Sequence, residues 1–162
     1  MASTSPAFQR HDHAACRKDV LAHADRQARR AGLRLTPVRR RVLEILLESH
    51  HALGAYEVLA RLTHDGFANQ PPLAYRALDF LCEQGLAHKV RRLNAYTACM
   101  QPDQDHRPVF LICHSCHAVA ETPAKVVTEA MQAAAAETGF VIERMNLEAL
   151  GQCPACQAGA RK

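Results

Sequence analysis

The chain has 162 residues, of which 48% are hydrophobic and none is Trp, so it can bury one large core or two small ones. Residues 1–98 hold 15 Lys and Arg against 9 Asp and Glu, a net charge of +6, whereas residues 99–162 hold 5 against 7, a net charge of −2. This uneven charge favours two units, with the basic N-terminal unit as the candidate surface for a polyanion.

Cysteine usage and the lack of long apolar runs limit where the protein acts. Most of the seven cysteines stand in metal-type spacing rather than in the framework of a secreted mini-protein, which favours a reducing compartment. The N-terminal segment has no apolar signal-peptide core, and no stretch of about 18 consecutive apolar residues occurs anywhere. We therefore expect a cytoplasmic protein that is neither exported nor membrane-spanning.

The N-terminal half of the sequence predicts a series of helices. A polar tail over residues 1–19, expected to be mobile, precedes a first helix over residues 20–32. Thr36 is a candidate N-cap and Pro37 suits the first helical position, so a second helix of about 13 residues is predicted, ending near Ser49.

Two more helices and a hairpin complete this unit. A short helix is predicted over residues 55–62, and a fourth opens at Pro71 and ends at Gly85, which suits a left-handed C-terminal cap. The core face of the fourth helix is predicted to comprise Ala74, Ala77, Leu78 and Leu81. Two short basic strands follow, at residues 86–90 and 95–98. This order predicts a winged helix over residues 20–98.

A polar segment with two prolines, residues 99–108, is predicted to be a hinge to a smaller unit over residues 109–156, followed by a tail over residues 157–162. The smaller unit reads as strand, strand, helix and strand, at residues 109–113, 117–121, 125–137 and 140–150. The fold class is therefore α+β, with a winged helix joined by a hinge to a small α/β unit.

Two Cys-x-x-Cys pairs bracket the smaller unit: Cys113 with Cys116, and Cys153 with Cys156. Two residues between thiolates is the spacing at which a tight turn directs both sulfurs at one zinc ion. Four thiolates leave no open coordination position, so the predicted role is structural. Unligated core thiols or redox thiols are the alternative.

Other metal chemistries fit these residues less well. Cys113-His-Ser-Cys116-His117 matches the c-type haem pattern, but that attachment needs export. A zinc deaminase needs a preceding His-x-Glu, and a metalloprotease needs His-Glu-x-x-His, and the sequence has neither. We therefore expect neither an enzyme nor a small-molecule substrate.

A second candidate zinc set lies around the hinge. His88 stands in the first wing strand, Cys99 after the second, His106 in the hinge and Glu121 five residues past Cys116. Two imidazoles, a thiolate and a carboxylate can close tetrahedrally on zinc. A metal bound there would connect the two units, so its occupancy would fix the angle between them.

Basic and aromatic residues of the winged helix form the candidate DNA surface. In isolation the arginine run at the second helix reads as a solvated basic face, but in a winged helix the DNA-binding function is favoured. Arginine on an exposed recognition helix can bind guanine bidentately, whereas wing cations neutralise phosphates. The candidate residues are Arg34, Arg39, Arg40, Tyr56, Tyr75, Arg76, Lys89 and Arg91.

The sequence resembles the ferric uptake regulator family, and within it the zinc uptake regulator branch. The resemblance covers about residues 20–156 and rests on RLTPVRRRVLEILL, GAYEVLARL, PPLAYRALDFLCEQGLAHKV, NAYTAC, FLICHSC and CPAC. It implies a repressor with a C-terminal dimerisation domain, acting as a zinc-loaded homodimer on palindromic operator DNA, with one or two dimers per operator.

The resemblance also implies two zinc ions per chain. The structural ion is assigned to Cys113, Cys116, Cys153 and Cys156, and the regulatory ion to His88, Cys99, His106 and Glu121. Tyr56, Tyr75 and Arg76 match family positions that face DNA. The alternatives are an iron or peroxide sensor of the same family, a constitutive zinc-stabilised DNA-binding module and, less favoured, a zinc hydrolase.

Overall fold

The computed structural model describes residues 6–8, 12–100, 108–123 and 125–159. Six helices and five strands follow a single turn of 3-10 helix at Pro6–Phe8, in the order α1 (His13–Arg30), α2 (Pro37–Leu46), α3 (Ala55–His64), α4 (Pro71–Glu83), β1 (Ala87–Val90), β2 (Ala95–Ala98), β3 (Pro108–Cys113), β4 (Val119–Pro123), α5 (Lys125–Glu137), β5 (Leu147–Gly151) and α6 (Pro154–Gln157). None of the helices in these ranges is long and apolar enough to cross a bilayer.

Helix α1 begins seven residues earlier than predicted, so a polar tail reaching residue 19 is wrong from residue 13 onward. The physical reason is an N-cap: the Asp12 carboxylate accepts hydrogen bonds from the backbone N–H groups of Ala14 and Ala15 at 3.0 and 3.2 Å. Helix α2 has the predicted Thr36 cap, whose side chain accepts from the N–H of Arg39 at 3.4 Å.

Helix α2 ends at Leu46, three residues before the predicted end near Ser49. Helices α2, α3 and α4 pack around one apolar core that includes the predicted face of α4. Phe80 also lies in this core, although the sequence analysis did not predict it.

Strands β1 and β2 form the antiparallel wing, in which His88 is opposite Thr97. Residues 91–94 join the two strands, and we call them the wing turn.

The C-terminal unit is a three-stranded sheet in the order β4-β3-β5. Strand β3 is antiparallel to β4 and parallel to β5. Helix α5 has the predicted bounds, but the predicted strand over residues 140–150 is wrong before residue 147. Phe140 and Val141 are 67% and 80% exposed, and no strand of the described residues pairs with this stretch, so its β-propensity alone does not make it a strand. Strand β4 begins at Val119, two residues later than predicted, because the chain turns through residues 114–116.

The two units contact each other through backbone and apolar groups. The segment before α3 bridges both, because His51 pairs with Ala118 of the C-terminal unit while Leu53 pairs with Tyr96 of the wing. An interdomain cluster of buried side chains adds to this contact. Its members are Val90, Phe110, Ile112 and Val119, with Ala52 and Leu93 packed against them.

Candidate metal centres and nucleic-acid interface

The four cysteines of the C-terminal unit converge, as the sequence predicts, and we call them the cysteine cluster. Cys113 ends β3 and Cys116 lies in the following turn, while Cys153 is the N-cap of α6 and Cys156 lies within it. The parallel pairing of β3 with β5 brings the two motifs together, because Cys113 is in register with Gly151. All four sulfurs lie within 4.8 Å of one another.

The sulfur positions fit a tetrahedral zinc ion. Zinc binds sulfur at about 2.3 Å, so four tetrahedral sulfurs lie about 3.8 Å apart. The Sγ atoms of Cys116 and Cys153 are 3.7 Å apart, far beyond the roughly 2.05 Å of a disulfide. All four cysteines are free thiols. The cluster can therefore hold one ion with no position left for a substrate.

The pKa values of the cysteine cluster also favour binding of a cation. Burial raises the pKa of Cys113, but backbone N–H groups, first that of Cys153, outweigh burial and lower this pKa to about 5. The Cys153 N–H lies 3.4 Å from the Cys113 sulfur. Burial, and then the neighbouring sulfurs, raise the pKa of Cys156 to about 12. Cys113 therefore favours the thiolate, whereas Cys156 resists losing its proton because it is buried and the other sulfurs are close. A bound cation would offset the negative charge that collects when all four thiols are deprotonated.

A second group of candidate ligands, the mixed cluster, lies between the two units. His88 comes from β1, Cys99 directly follows β2 and Glu121 comes from β4, and their ligand atoms all lie within 4.8 Å of one another. Oε1 of Glu121 is 3.6 Å from Nε2 of His88 and 3.8 Å from Sγ of Cys99. These separations are close to the roughly 3.3 to 3.7 Å expected for nitrogen, oxygen and sulfur around tetrahedral zinc. The fourth predicted ligand, His106, lies outside the described residues.

Two of the three members of the mixed cluster are buried, and His88 is partly exposed. Cys99 is fully buried and Glu121 is 5% exposed, so a charged carboxylate there requires partners. One partner is the backbone N–H of Met100, which donates to Oε2 of Glu121 at 3.0 Å. The His88 ring centroid is 5.6 Å from that of Phe110, so the imidazole also packs against β3. The carboxylate belongs to the C-terminal unit and the other two ligands belong to the wing, so a metal held here ties the units together.

Three of the predicted DNA contacts are exposed on the winged helix. Tyr56 near the start of α3 is 69% exposed, and Tyr75 on α4 is 39% exposed. Arg76, also on α4, is exposed beside it. The buried face of α4 packs on the core, so these side chains are on the opposite, solvent-facing side.

The arginines of α2 make contacts within the chain instead. The Arg39 guanidinium lies 3.6 Å from the Phe80 ring centroid and donates to the carbonyl of Arg34 at 2.8 Å. Arg40 forms an ion pair with Asp25 of α1. Their roles in DNA binding stay predictions, as do those of Arg34, Lys89 and Arg91.

Two contacts between the units were not identified from the sequence. Phe110 packs beside His88, and Glu148 of β5 accepts hydrogen bonds from the wing turn. A cavity of about 300 Å³ opens between the wing and the C-terminal sheet, and Cys82, His88 and Glu148 are among its lining residues. Nothing in the local sequence marks Glu148, since the chain separation across this contact is 57 residues.

Two proteins of known name are similar to this chain over most of its length. The zinc uptake regulation protein of Escherichia coli (strain K12) is 39% identical over 140 residues, which cover 86% of this chain and 82% of that protein. The protein of the same name from Shigella flexneri matches equally.

Solved structures match over most of the chain. A zinc uptake regulator in complex with zinc and DNA is 38% identical, with a TM-score of 0.82 over 89% of this chain and 97% of that one. The crystal structure of holo XcZur is 36% identical, with a TM-score of 0.77 over 86% of this chain and 98% of that one. The apo form of XcZur, at 34% identity, gives a TM-score of only 0.52 over 88% of this chain and 99% of that one. The chain as a whole therefore superimposes better on the holo form than on the apo form.

A family-wide comparison covers both clusters except the last two cysteines. The sequence profile described as the "Ferric uptake regulator family" matches residues 30–150, three quarters of the chain. By this match, and by its identity to the zinc uptake regulation proteins, the chain belongs to the ferric uptake regulator family.

Proposed function

We propose that the protein is a zinc-responsive transcriptional repressor that binds operator DNA and controls genes of zinc uptake and homeostasis. The observation that carries this proposal is the mixed cluster, whose ligands come from the wing and from the C-terminal sheet. A metal centre that bridges two units can set their relative orientation, which is what a metal-dependent switch requires.

The nature of the ligands supports zinc. A thiolate beside an imidazole and a carboxylate favours zinc over iron or manganese, which are better served by nitrogen and oxygen ligands alone. His88, Cys99 and Glu121 would hold the regulatory ion, with His106 as the fourth ligand. The relatives named for zinc uptake, and the solved complex of a zinc uptake regulator with zinc and DNA, support the same assignment.

The chain's own residues explain why the closed arrangement would depend on metal. Glu121 and Cys99 are both acidic, both buried, and 3.8 Å apart between their closest ligand atoms. Two negative charges at this separation repel strongly in a buried site. Bound zinc supplies the compensating charge. Without the ion, separation of the two units would relieve this repulsion.

The cysteine cluster is proposed to hold a second, structural zinc ion. It lies wholly within the C-terminal unit and joins the turn after β3 to α6. Its thiolates need a reducing compartment, which supports a cytoplasmic location.

The C-terminal unit is also the proposed dimerisation domain. Exposed large apolar side chains concentrate there rather than on the winged helix, which is typical of a surface covered by another chain. In the described part of the C-terminal unit these residues are Leu111, Val126, Val127, Met131, Phe140, Val141 and Leu150. A two-fold dimer places two α4 helices against successive major grooves of a palindromic site, and two such dimers on one operator are proposed as a further assembly.

On DNA, α4 is the proposed recognition helix. Arg76 would contact a base edge, while Tyr56 and Tyr75 would contact the backbone or neighbouring bases. Arg34, Arg39, Arg40, Lys89 and Arg91 would add phosphate contacts, the first three at or near the start of α2.

Operator binding titrated against free zinc, with metal content measured in parallel, tests this function. We expect two zinc ions per chain and an operator affinity that rises as the second ion binds. Iron or manganese at the mixed cluster of protein purified from cytoplasm would contradict zinc sensing. DNA affinity that is indifferent to mild chelation would indicate a constitutive DNA-binding module instead.

A further inference from the structure

Glu148 of β5 contacts the wing turn through both carboxylate oxygens. Oε1 accepts a hydrogen bond from the backbone N–H of Arg91 at 2.6 Å, and Oε2 accepts one from the N–H of Arg92 at 3.0 Å. Hydrogen bonds to an ionised carboxylate are shorter and stronger than neutral ones. This contact therefore joins the C-terminal unit to the end of the wing, independently of the mixed cluster.

Strand register explains how Glu148 reaches the wing. Phe110 of β3 is paired with Glu121 on one side and with Glu148 on the other, so the three residues form one row across the sheet. Neighbours in register project from the same face of a sheet. The row therefore presents a metal ligand at one edge, an aromatic ring in the centre and a second carboxylate at the other edge, all towards the wing.

The wing contacts this row along its own length. His88 lies beside Glu121 and Phe110. Val90 packs in the interdomain cluster. The backbone N–H groups of Arg91 and Arg92 donate to Glu148. His88 and Arg91 are three positions apart along the chain, which corresponds to about 10 Å in an extended strand.

We propose that Glu148 is a positioning residue that fixes the orientation of the wing, and with it the DNA-binding domain, in the zinc-loaded arrangement. This inference rests on the proposed function, which it deepens by adding a second point of control. A hairpin held at one point can rotate about it, whereas two points about 10 Å apart define its direction. Zinc ligation at His88 supplies the first point, and Glu148 supplies the second.

The charge of Glu148 suits this role. Lys89, Arg91 and Arg92 are exposed cations on or next to the wing turn, and a carboxylate against the turn lowers their mutual repulsion. The role is also specific to the closed arrangement, since β5 and the wing belong to different units. Opening of the units would separate the carboxylate from both N–H groups.

The test compares Glu148→Ala and Glu148→Gln with the control Glu143→Gln. Glu143 is exposed in the segment before β5, so the control removes the same charge from the same unit without touching the wing turn. The Gln variant at position 148 keeps the side-chain shape and one acceptor oxygen, so it remains informative if the Ala variant folds poorly.

Two measurements are made on zinc-loaded protein. Hydrogen exchange of the Arg91 and Arg92 amides is followed without DNA, and operator affinity is measured at saturating zinc, with metal content checked throughout. We expect Glu148→Ala to speed exchange at both amides and to weaken operator binding about tenfold while two zinc ions per chain remain, with Glu148→Gln intermediate.

The proposal is overturned if Glu148→Ala matches the control in both amide exchange and operator affinity. A purely structural role would lower the melting temperature without weakening operator binding by the folded, zinc-loaded protein, and that result also overturns it. Failure of the proposed function has a separate signature, because wild-type operator affinity would then not respond to zinc, whereas the amide-exchange comparison does not involve DNA.

Discussion

The two candidate metal centres of this chain differ in where their candidate ligands come from. All four members of the cysteine cluster belong to one unit and lie at the end of β3, in the turn that follows and at α6. The mixed cluster draws His88 and Cys99 from the wing side and Glu121 from the C-terminal sheet. A metal in the first centre stabilises a local fold, whereas a metal in the second stabilises one orientation of two folds.

We infer that the origin of the ligands, more than their number, would distinguish a structural zinc site from a regulatory one. Metal binding within one unit is coupled to folding of that unit. Metal binding between two units would instead be coupled to their relative orientation. The substitutions below are ordered by the size of the expected effect.

The largest effect is expected from Cys153→Ser in the cysteine cluster. A structural zinc site of four thiolates contributes on the order of 10 kcal/mol to folding. Its loss should unfold the C-terminal unit and abolish dimer formation, measured by circular dichroism, zinc content and analytical ultracentrifugation. Cys82→Ser serves as the control, because Cys82 belongs to neither cluster. A variant that stays folded and dimeric with one zinc ion fewer would show that the cysteine cluster is not needed for the fold of the C-terminal unit.

A selective effect is expected from Cys99→Ser in the mixed cluster. The variant should stay folded and dimeric with one zinc ion per chain, while operator affinity at high zinc falls to that of the metal-poor protein. For a typical coupling free energy of 1–3 kcal/mol, this is a loss of about 5- to 150-fold. Mobility-shift titrations at buffered zinc measure it. Unchanged zinc-dependent binding by Cys99→Ser would show that this centre is not the sensor.

Arg76→Ala touches neither centre and separates DNA contact from metal response. We expect a loss of about 1–3 kcal/mol confined to one base position, with zinc content unchanged. Affinity for a set of operator variants measures it, and equal weakening on all sequences would reassign Arg76 to a phosphate. The matched variant Arg39→Ala should weaken binding to all sequences equally, as loss of a phosphate contact does, and should also lower the melting temperature, because the Arg39 guanidinium lies on the Phe80 ring.

The smallest effect concerns the thiol of Cys82, which lines the cavity beside His88. Burial, and then the nearby Asp79 carboxylate, raise the pKa of Cys82 from 9.0 to about 11. Since the folded state retains the proton, the free energy of unfolding should fall as pH rises from about 9 towards 11.

The same pKa predicts slow alkylation of Cys82 near pH 8, followed by peptide mass spectrometry. Chelation that empties the mixed cluster should accelerate it several-fold by opening the cavity. An identical rate before and after chelation would mean that the units do not separate there.

Much of the fold was predictable because its signals are local. Thr36 followed by Pro37 marks the start of α2, and the Cys-x-x-Cys spacing predicts the cysteine cluster without any knowledge of the sheet. Three of the four predicted ligands of the mixed cluster also meet in the structure.

What the sequence did not provide are contacts between distant segments. The Glu148 carboxylate reaches N–H groups 57 and 56 residues away, and its strand carries no pattern that distinguishes it from an ordinary exposed position. Likewise, the stacking of Arg39 on Phe80 depends on how α2 packs against α4. The extended strand prediction from residue 140 failed for the same reason, because strand formation needs a partner that the local sequence does not name.

The interdomain cluster around Val90 and Phe110 has a consequence for the zinc concentration at which the protein responds. Metal binds with its full affinity only to molecules whose two units are already closed, so the apparent dissociation constant is the intrinsic one divided by the closed fraction. Apolar packing at this cluster raises that fraction without touching a ligand. Substitutions in the interdomain cluster can therefore change the zinc concentration at which the site fills. Two regulators with identical metal ligands can respond at different zinc concentrations for this reason.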